Sequence, residues 1–230
     1  MTSEITKNIE DIKRRVEKAA IKSGRKFEDI KIIAVTKTID SERINEVLDE
    51  NILDLGENRV QEICRKYDEI KRPCNWHMIG HLQTNKVKYI INKVAMIHSL
   101  DSFELAQELQ KRAKRAGISM DVLVEVNVSG EISKYGIAPK DVLDFIKKAS
   151  VFPNIKIKGL MTIAPNAQNT EDIRMVFKEI YKIFLDIRKE NINNIDINYI
   201  SAGMSNDFEV AIEEGANIVR VGTSIFGKRN

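Results

Sequence analysis

Cysteine, proline and net charge are all scarce in this 230-residue chain, and each scarcity removes a class of protein. The two cysteines, Cys64 and Cys74, fit neither a CxxC pair nor a zinc-ligand spacing. They read as reduced structural thiols of a cytosolic, hence cytoplasmic, protein rather than as a disulfide framework. Four prolines and eleven glycines form no rich stretch that would act as a linker. A formal charge of +3 gives no electrostatic case for binding nucleic acid. No apolar run approaches a membrane span, and the charged opening MTSEITKNIEDIKRR lacks the apolar segment of a signal peptide. What remains is 43% hydrophobic and 31% charged, the balance of a globular protein with a sizeable core. With no sustained shift of composition, one domain over residues 1–230 is expected.

The first segment places Ile5, Ile9, Ile12 and Val16 at helical spacing and stops near Gly24. Short β-like runs then alternate with helical patterns. Strands are expected at 31–36, 52–56, 76–79, 96–100, 122–128, 157–163, 198–202 and 218–222. Asp101 with Glu104 resembles a capping box, and Pro139 fits a first turn. After Thr170, the residues Ile173, Val176, Phe177, Ile180 and Phe184 form one apolar stripe. Eight strands alternating with helices imply a parallel α/β sheet. It either closes into a (β/α)8 TIM barrel with an extra amino-terminal helix or opens into a doubly wound sheet.

Unusual residues gather just past the carboxyl ends of those strands, which is the active face of such barrels. Lys37 follows the first, Gly56-Glu57-Asn58 the second, Gly80-His81 the third and Ser133-Lys134 the fifth. The last two loops suit a phosphate. In SAGMSND, Gly203 and Ser205 stand where a strand turns into a helix, and RVGTSIFG repeats the device with Gly222 and Thr223. A lysine rarely ends a buried strand, because its ammonium loses hydration there. Opposite a phosphate cradle, the Lys37 amine has the arrangement that a pyridoxal phosphate aldimine requires. Arg220, two residues before Gly222, is then in reach of the pyridine nitrogen. The plainer alternatives are a snorkelling Lys37 and an Arg220 paired with a core carboxylate.

The chain resembles the pyridoxal phosphate homeostasis protein family, single-barrel relatives of the amino-terminal domain of alanine racemase. The matching stretches are AVTK at 34–37, GENRVQE at 56–62, WHMIGHLQTNK at 76–86, SKYGI at 133–137, GLMTI at 159–163 and the long run from SAGMSND to SIFG at 201–227. The resemblance implies a closed (β/α)8 barrel with pyridoxal 5'-phosphate held as a covalent aldimine on Lys37. It implies phosphate contacts at Ser205, Gly222 and Thr223, with Arg220 facing the ring nitrogen. Asn58, Asn85 and Lys86 belong to the family pattern on the cofactor side, and Asn58 is counted among the cofactor-binding residues. His81 departs from it, since many relatives carry proline there. Closure follows too, because Lys37 and residues 220–223 can share one cofactor only if the first and eighth strands are neighbours.

Two other features are read as structural. His77 and His81 sit four apart, but on a strand and loop, so the helical HExxH metal logic fails and no metal is expected. KRAKRAG at 111–117 is a basic helix end complementing the helix dipole. The resemblance implies a protein that stores, buffers or delivers pyridoxal phosphate to apoenzymes in vitamin B6 homeostasis, with no substrate turnover. A small amino-acid racemase is the alternative. Two-sided proton transfer needs a group on each cofactor face, and Lys37 is the only candidate base in the sequence. Racemases of the related fold add a second domain that this sequence has no room for, so the carrier is preferred and a monomer expected.

Overall fold

The computed structural model describes residues 3–131, 134–165 and 169–227, so Ser133 lies outside the described residues. Eight parallel strands close a barrel in chain order. They are β1 (Lys31–Val35), β2 (Asp54–Glu57), β3 (Asn75–Met78), β4 (Met96–Leu100), β5 (Met120–Glu125), β6 (Ile155–Met161), β7 (Tyr199–Ser201) and β8 (Ile218–Val221). The open-sheet alternative is excluded by the closing ladder, in which Lys31 to Ala34 of β1 pair with Ile218 to Val221 of β8.

Both faces of these strands are buried, which is why they read as apolar runs. Ile33 faces the barrel axis with Met96, Leu123, Met161 and Ile218, whereas Ile32 and Ala34 join the larger layer beneath the helices. The strand period of two gives Val35 the inward parity of Ile33, and Lys37 follows two residues later in the turn beyond β1.

The helices are α1 (Glu4–Lys22), α2 (Ser41–Asp49), α3 (Val60–Glu69), α4 (Val87–Ile90), α5 (Phe103–Ala116), α6 (Val142–Ala149), α7 (Thr170–Lys189), α8 (Phe208–Glu213) and α9 (Thr223–Phe226). The extra helix α1 buries its Ile5, Ile9, Ile12 and Val16 stripe against α2, α8 and α9. Arg15 ties it to Glu209 at 2.6 Å, and Gly24, at φ 72°, takes the left-handed turn that releases the chain into β1.

Several boundaries differ from the sequence expectation, most clearly at α5, β5 and β6. The cap of α5 is Ser102, whose hydroxyl accepts from the Leu105 N–H at 3.3 Å, not Asp101. Asp101 instead accepts from His81 Nδ1 at 2.8 Å. The fifth and sixth strands begin and end two or three residues earlier than their apolar runs suggest. Val126 keeps a single bridge to Ile137, and Ile163 emerges exposed beyond the ladder.

Candidate functional site

Lys37 occupies a clamped turn. The Ile39 N–H donates to the Thr36 carbonyl at 2.9 Å, closing a four-residue turn with Lys37 and Thr38 at its centre. Thr38 sits at φ 66°, an uncommon backbone for a β-branched residue, and such strain gathers at functional sites. The same Thr36 carbonyl accepts from Lys66 Nζ at 2.7 Å. Lys66, fully buried on α3, also pairs with Glu57 at 2.7 Å and Glu62 at 3.0 Å. Thr36 Oγ1 donates to Glu57 Oε1 at 2.6 Å. The peptide before Lys37 is thus held by a buried ion network, while Lys37 itself is half-buried.

Next to this turn lies a convergence of backbone donors. The N–H groups of Gly222 and Ser224 both point at Ser205 Oγ, each at 3.2 Å. Gly222 packs tightly on β1: a Cβ there would stand 3.3 Å from the Val35 carbonyl oxygen. Gly203, at φ 89°, lets β7 turn against α8, where a Cβ would meet Phe208 Cα at 2.8 Å. The two N–H groups meet on the Ser205 hydroxyl oxygen, which gathers backbone donors and a hydroxyl in one place, a set suited to phosphate oxygens. Thr223 is exposed beside them.

Arg220 projects into the barrel from β8 and is 4% exposed. Its Nη1 donates to the Ser201 carbonyl at 2.8 Å and Ser201 Oγ at 2.7 Å, and its Nη2 to the Thr162 carbonyl at 2.9 Å. The expected alternative partner, a core carboxylate, is therefore not what holds it. Burial pulls this guanidinium down to about 10, opposed by Asp207 and Glu125, so it remains a cation at neutral pH.

Glu125 is a site residue the sequence reading did not single out. It ends β5 with the inward parity of Leu123 and is 7% exposed. Among the described residues, no hydrogen-bond partner reaches its Oε2. Burial lifts this carboxyl to about 7, Asp101 pushes the same way and Arg220 opposes. An acidic residue ending an apolar strand was the signal available.

The rim is built by the loops after β2, β3 and β5. Asn58, exposed, lines a cleft of about 470 Å³ with Arg59, Met78, His81 and Lys86. Gly80 is required beside it, since a Cβ would stand 2.7 Å from the Asn58 carbonyl oxygen. His81 stacks on Tyr135, ring centres 3.7 Å apart, so the third and fifth loops meet across the mouth. Lys134 pairs with Glu131 at 2.6 Å, and Asn85 is exposed. His77, by contrast, is buried in the barrel axis, and among the described residues no cluster of three or more His, Cys, Asp or Glu could hold a metal.

The sequence and fold have known counterparts. The family described as alanine racemase, N-terminal domain, matches residues 2–230. A pyridoxal phosphate homeostasis protein of Aquifex aeolicus is 45% identical over 216 residues, 94% of each chain. One from Pseudomonas aeruginosa is 34% identical over 99% of this chain and 97% of its own. Among solved structures, PipY of Synechococcus elongatus with pyridoxal phosphate bound superposes with a TM-score of 0.81. It is 29% identical, covering 94% of this chain and all (100%) of that one. An alanine racemase of Clostridium difficile, at 19% identity and a TM-score of 0.75, shares the fold, this chain spanning 56% of it. The chain belongs to the alanine racemase N-terminal domain family and, within it, to the pyridoxal phosphate homeostasis proteins.

Proposed function

We propose that this protein binds pyridoxal 5'-phosphate covalently through Lys37 and serves cytoplasmic cofactor homeostasis as a store, buffer or donor to apoenzymes, without substrate turnover. The observation that carries the reading is adjacency. The Lys37 turn and the Gly222–Ser205–Ser224 donor cluster follow β1 and β8, which pair directly through Ala34 and Val221. The names of the relatives and the cofactor in the PipY structure support it.

The residues present fit the cofactor. When bound, it supplies an aldehyde for an amine and a ring that withdraws electrons. The half-buried Lys37 offers the amine, and the clamp on the Thr36 carbonyl aims it. Gly222 and Ser224 N–H groups, with Ser205 and Thr223, take the phosphate. Arg220, able only to donate, meets the ring nitrogen as a donor and leaves it without a proton of its own. Asn58 belongs to the rim of the same mouth. One barrel domain acting as a monomer suffices for these contacts.

Glu125 keeps the racemase reading alive, because a buried carboxyl near neutrality is suited to holding a proton opposite Lys37. The test is to incubate loaded protein with L-alanine and, in parallel, with a pyridoxal phosphate-dependent apoenzyme. Reactivation of the apoenzyme with no sustained D-alanine is expected. D-Alanine formed at about 1 s⁻¹ or faster would overturn the carrier reading.

A further inference from the structure

Six side chains form one continuous hydrogen-bonded path through the barrel. Arg220 Nη1 lies 2.7 Å from Ser201 Oγ, and Ser201 Oγ 3.0 Å from His98 Nδ1. His98 Nε2 lies 2.9 Å from His77 Nδ1, and His77 Nε2 2.8 Å from Asp54 Oδ1. Lys31 Nζ closes the path with both Asp54 oxygens at 3.0 Å. His77, His98, Ser201 and Arg220 are all buried. The path starts at the amino-terminal mouth of the barrel, where β1 and β2 begin, and ends at the arginine beneath the cofactor face.

The two ends dictate its direction. A guanidinium can only donate, and an ionised carboxylate can only accept. His77 and Lys31 hold Asp54 below the usual carboxylate range against the effect of its burial, so it is ionised at neutral pH. Arg220 donates into Ser201, whose own proton then goes to His98 Nδ1. His98 must carry its proton on Nε2 and donate it to His77 Nδ1. His77 in turn donates from Nε2 to Asp54. The opposite orientation would strand the Ser201 proton and add a cation between Arg220 and Lys31. That cation would be His77, holding both ring protons; His98, kept well below the ordinary histidine range by burial above all, with His77, Arg220 and Lys31, carries one proton in either direction. The path cannot conduct a proton to the site, since arginine accepts none.

We propose that Ser201, His98, His77 and Asp54 are positioning residues forming a polarised relay that holds Arg220 as a one-way donor toward the ring-nitrogen pole of the cofactor site. This rests on the pyridoxal phosphate reading above and deepens it. The ring electronics of the bound cofactor are then set partly by a carboxylate at the opposite mouth of the barrel.

The chain has three histidines, so ¹⁵N-histidine labelling resolves each imidazole in a long-range ¹H–¹⁵N spectrum. Without cofactor at neutral pH, His77 and His98 are expected to carry their protons on Nε2, with His98 neutral. A His98 proton on Nδ1 overturns the relay, whatever the protein binds. The second arm uses Asp54→Ala and Ser201→Ala, checked by thermal melting without cofactor. Both are expected to shift the absorbance maximum of bound pyridoxal phosphate in the same direction and weaken its binding at least ~5-fold, a hydrogen-bond-sized effect. A folded Asp54→Ala protein with wild-type spectrum and affinity overturns the proposal. Where that variant does not fold, the histidine spectrum decides. Failure of the wild-type protein to take up cofactor would sink the cofactor reading alone, since the tautomers are measured without it.

Discussion

Lys66 Nζ stands 2.7 Å from the carbonyl oxygen of Thr36, the residue before Lys37, in a place where Lys66 has no exposed surface. The buried ammonium compensates Glu57 at Oε1; the Glu57 side chain is equally inaccessible, and its Oε2 has no hydrogen-bond partner among the described residues. Breaking one half of such a pair leaves a charge without its counterion in a poor solvent.

Lys66→Met should therefore cost about 3–5 kcal/mol of stability, read as a lower urea midpoint with an unchanged slope. A loss below about 1 kcal/mol, the range of surface pairs, would show that Glu57 is compensated elsewhere.

Ser205 and Thr223 are expected to hold phosphate through their hydroxyls beside the Gly222 and Ser224 N–H groups. A hydrogen bond to a charged group is worth about 1.5–3 kcal/mol, so the Ser205→Ala/Thr223→Ala protein should bind pyridoxal phosphate at least ~10-fold more weakly. Pyridoxal without phosphate should bind both proteins alike. Equal loss for both ligands would mean the hydroxyls serve the fold instead.

Glu125 gives the protein a pH dependence of definite sign. Its carboxyl rises from 4.5 to about 7 on folding, chiefly through burial, so the native state binds the proton more tightly than the unfolded chain does. The stabilisation is complete below about pH 4.5 and is lost as pH rises through 7, on the order of 3 kcal/mol in all. Glu125→Gln, which cannot ionise, should gain stability relative to wild type between pH 5 and 8, by roughly 2–3 kcal/mol. Parallel stability profiles for the two proteins would contradict the buried, uncompensated carboxylate.

Much of this was legible in the sequence because each signal was local. The apolar run at 96–100 is β4 to the residue, and AVTK placed Lys37 at the end of β1. Gly203, Ser205 and Gly222 were readable as turn residues after strands, and the structure brings the Gly222 N–H onto Ser205 Oγ. The relay was not. His77 and His98 lie 21 residues apart and meet only through the β3–β4 register, which pairs His77 with Met96. Lys66 reads as an ordinary polar helix position, and its burial arises from α3 covering the outward face of β2. Contacts set by register and packing leave no periodic trace. The strand ends at 125 and 161 were misjudged because apolar residues continue beyond the ladder into loops that close over the mouth.

The central claim is that Lys37 carries the cofactor. Protein loaded with pyridoxal phosphate should be reduced with borohydride, digested and mapped by mass spectrometry. The account predicts the cofactor's added mass on the peptide containing Lys37, and its disappearance in a folded Lys37→Ala protein. A label found mainly on Lys86 or Lys134, or one that survives Lys37→Ala undiminished, would contradict it.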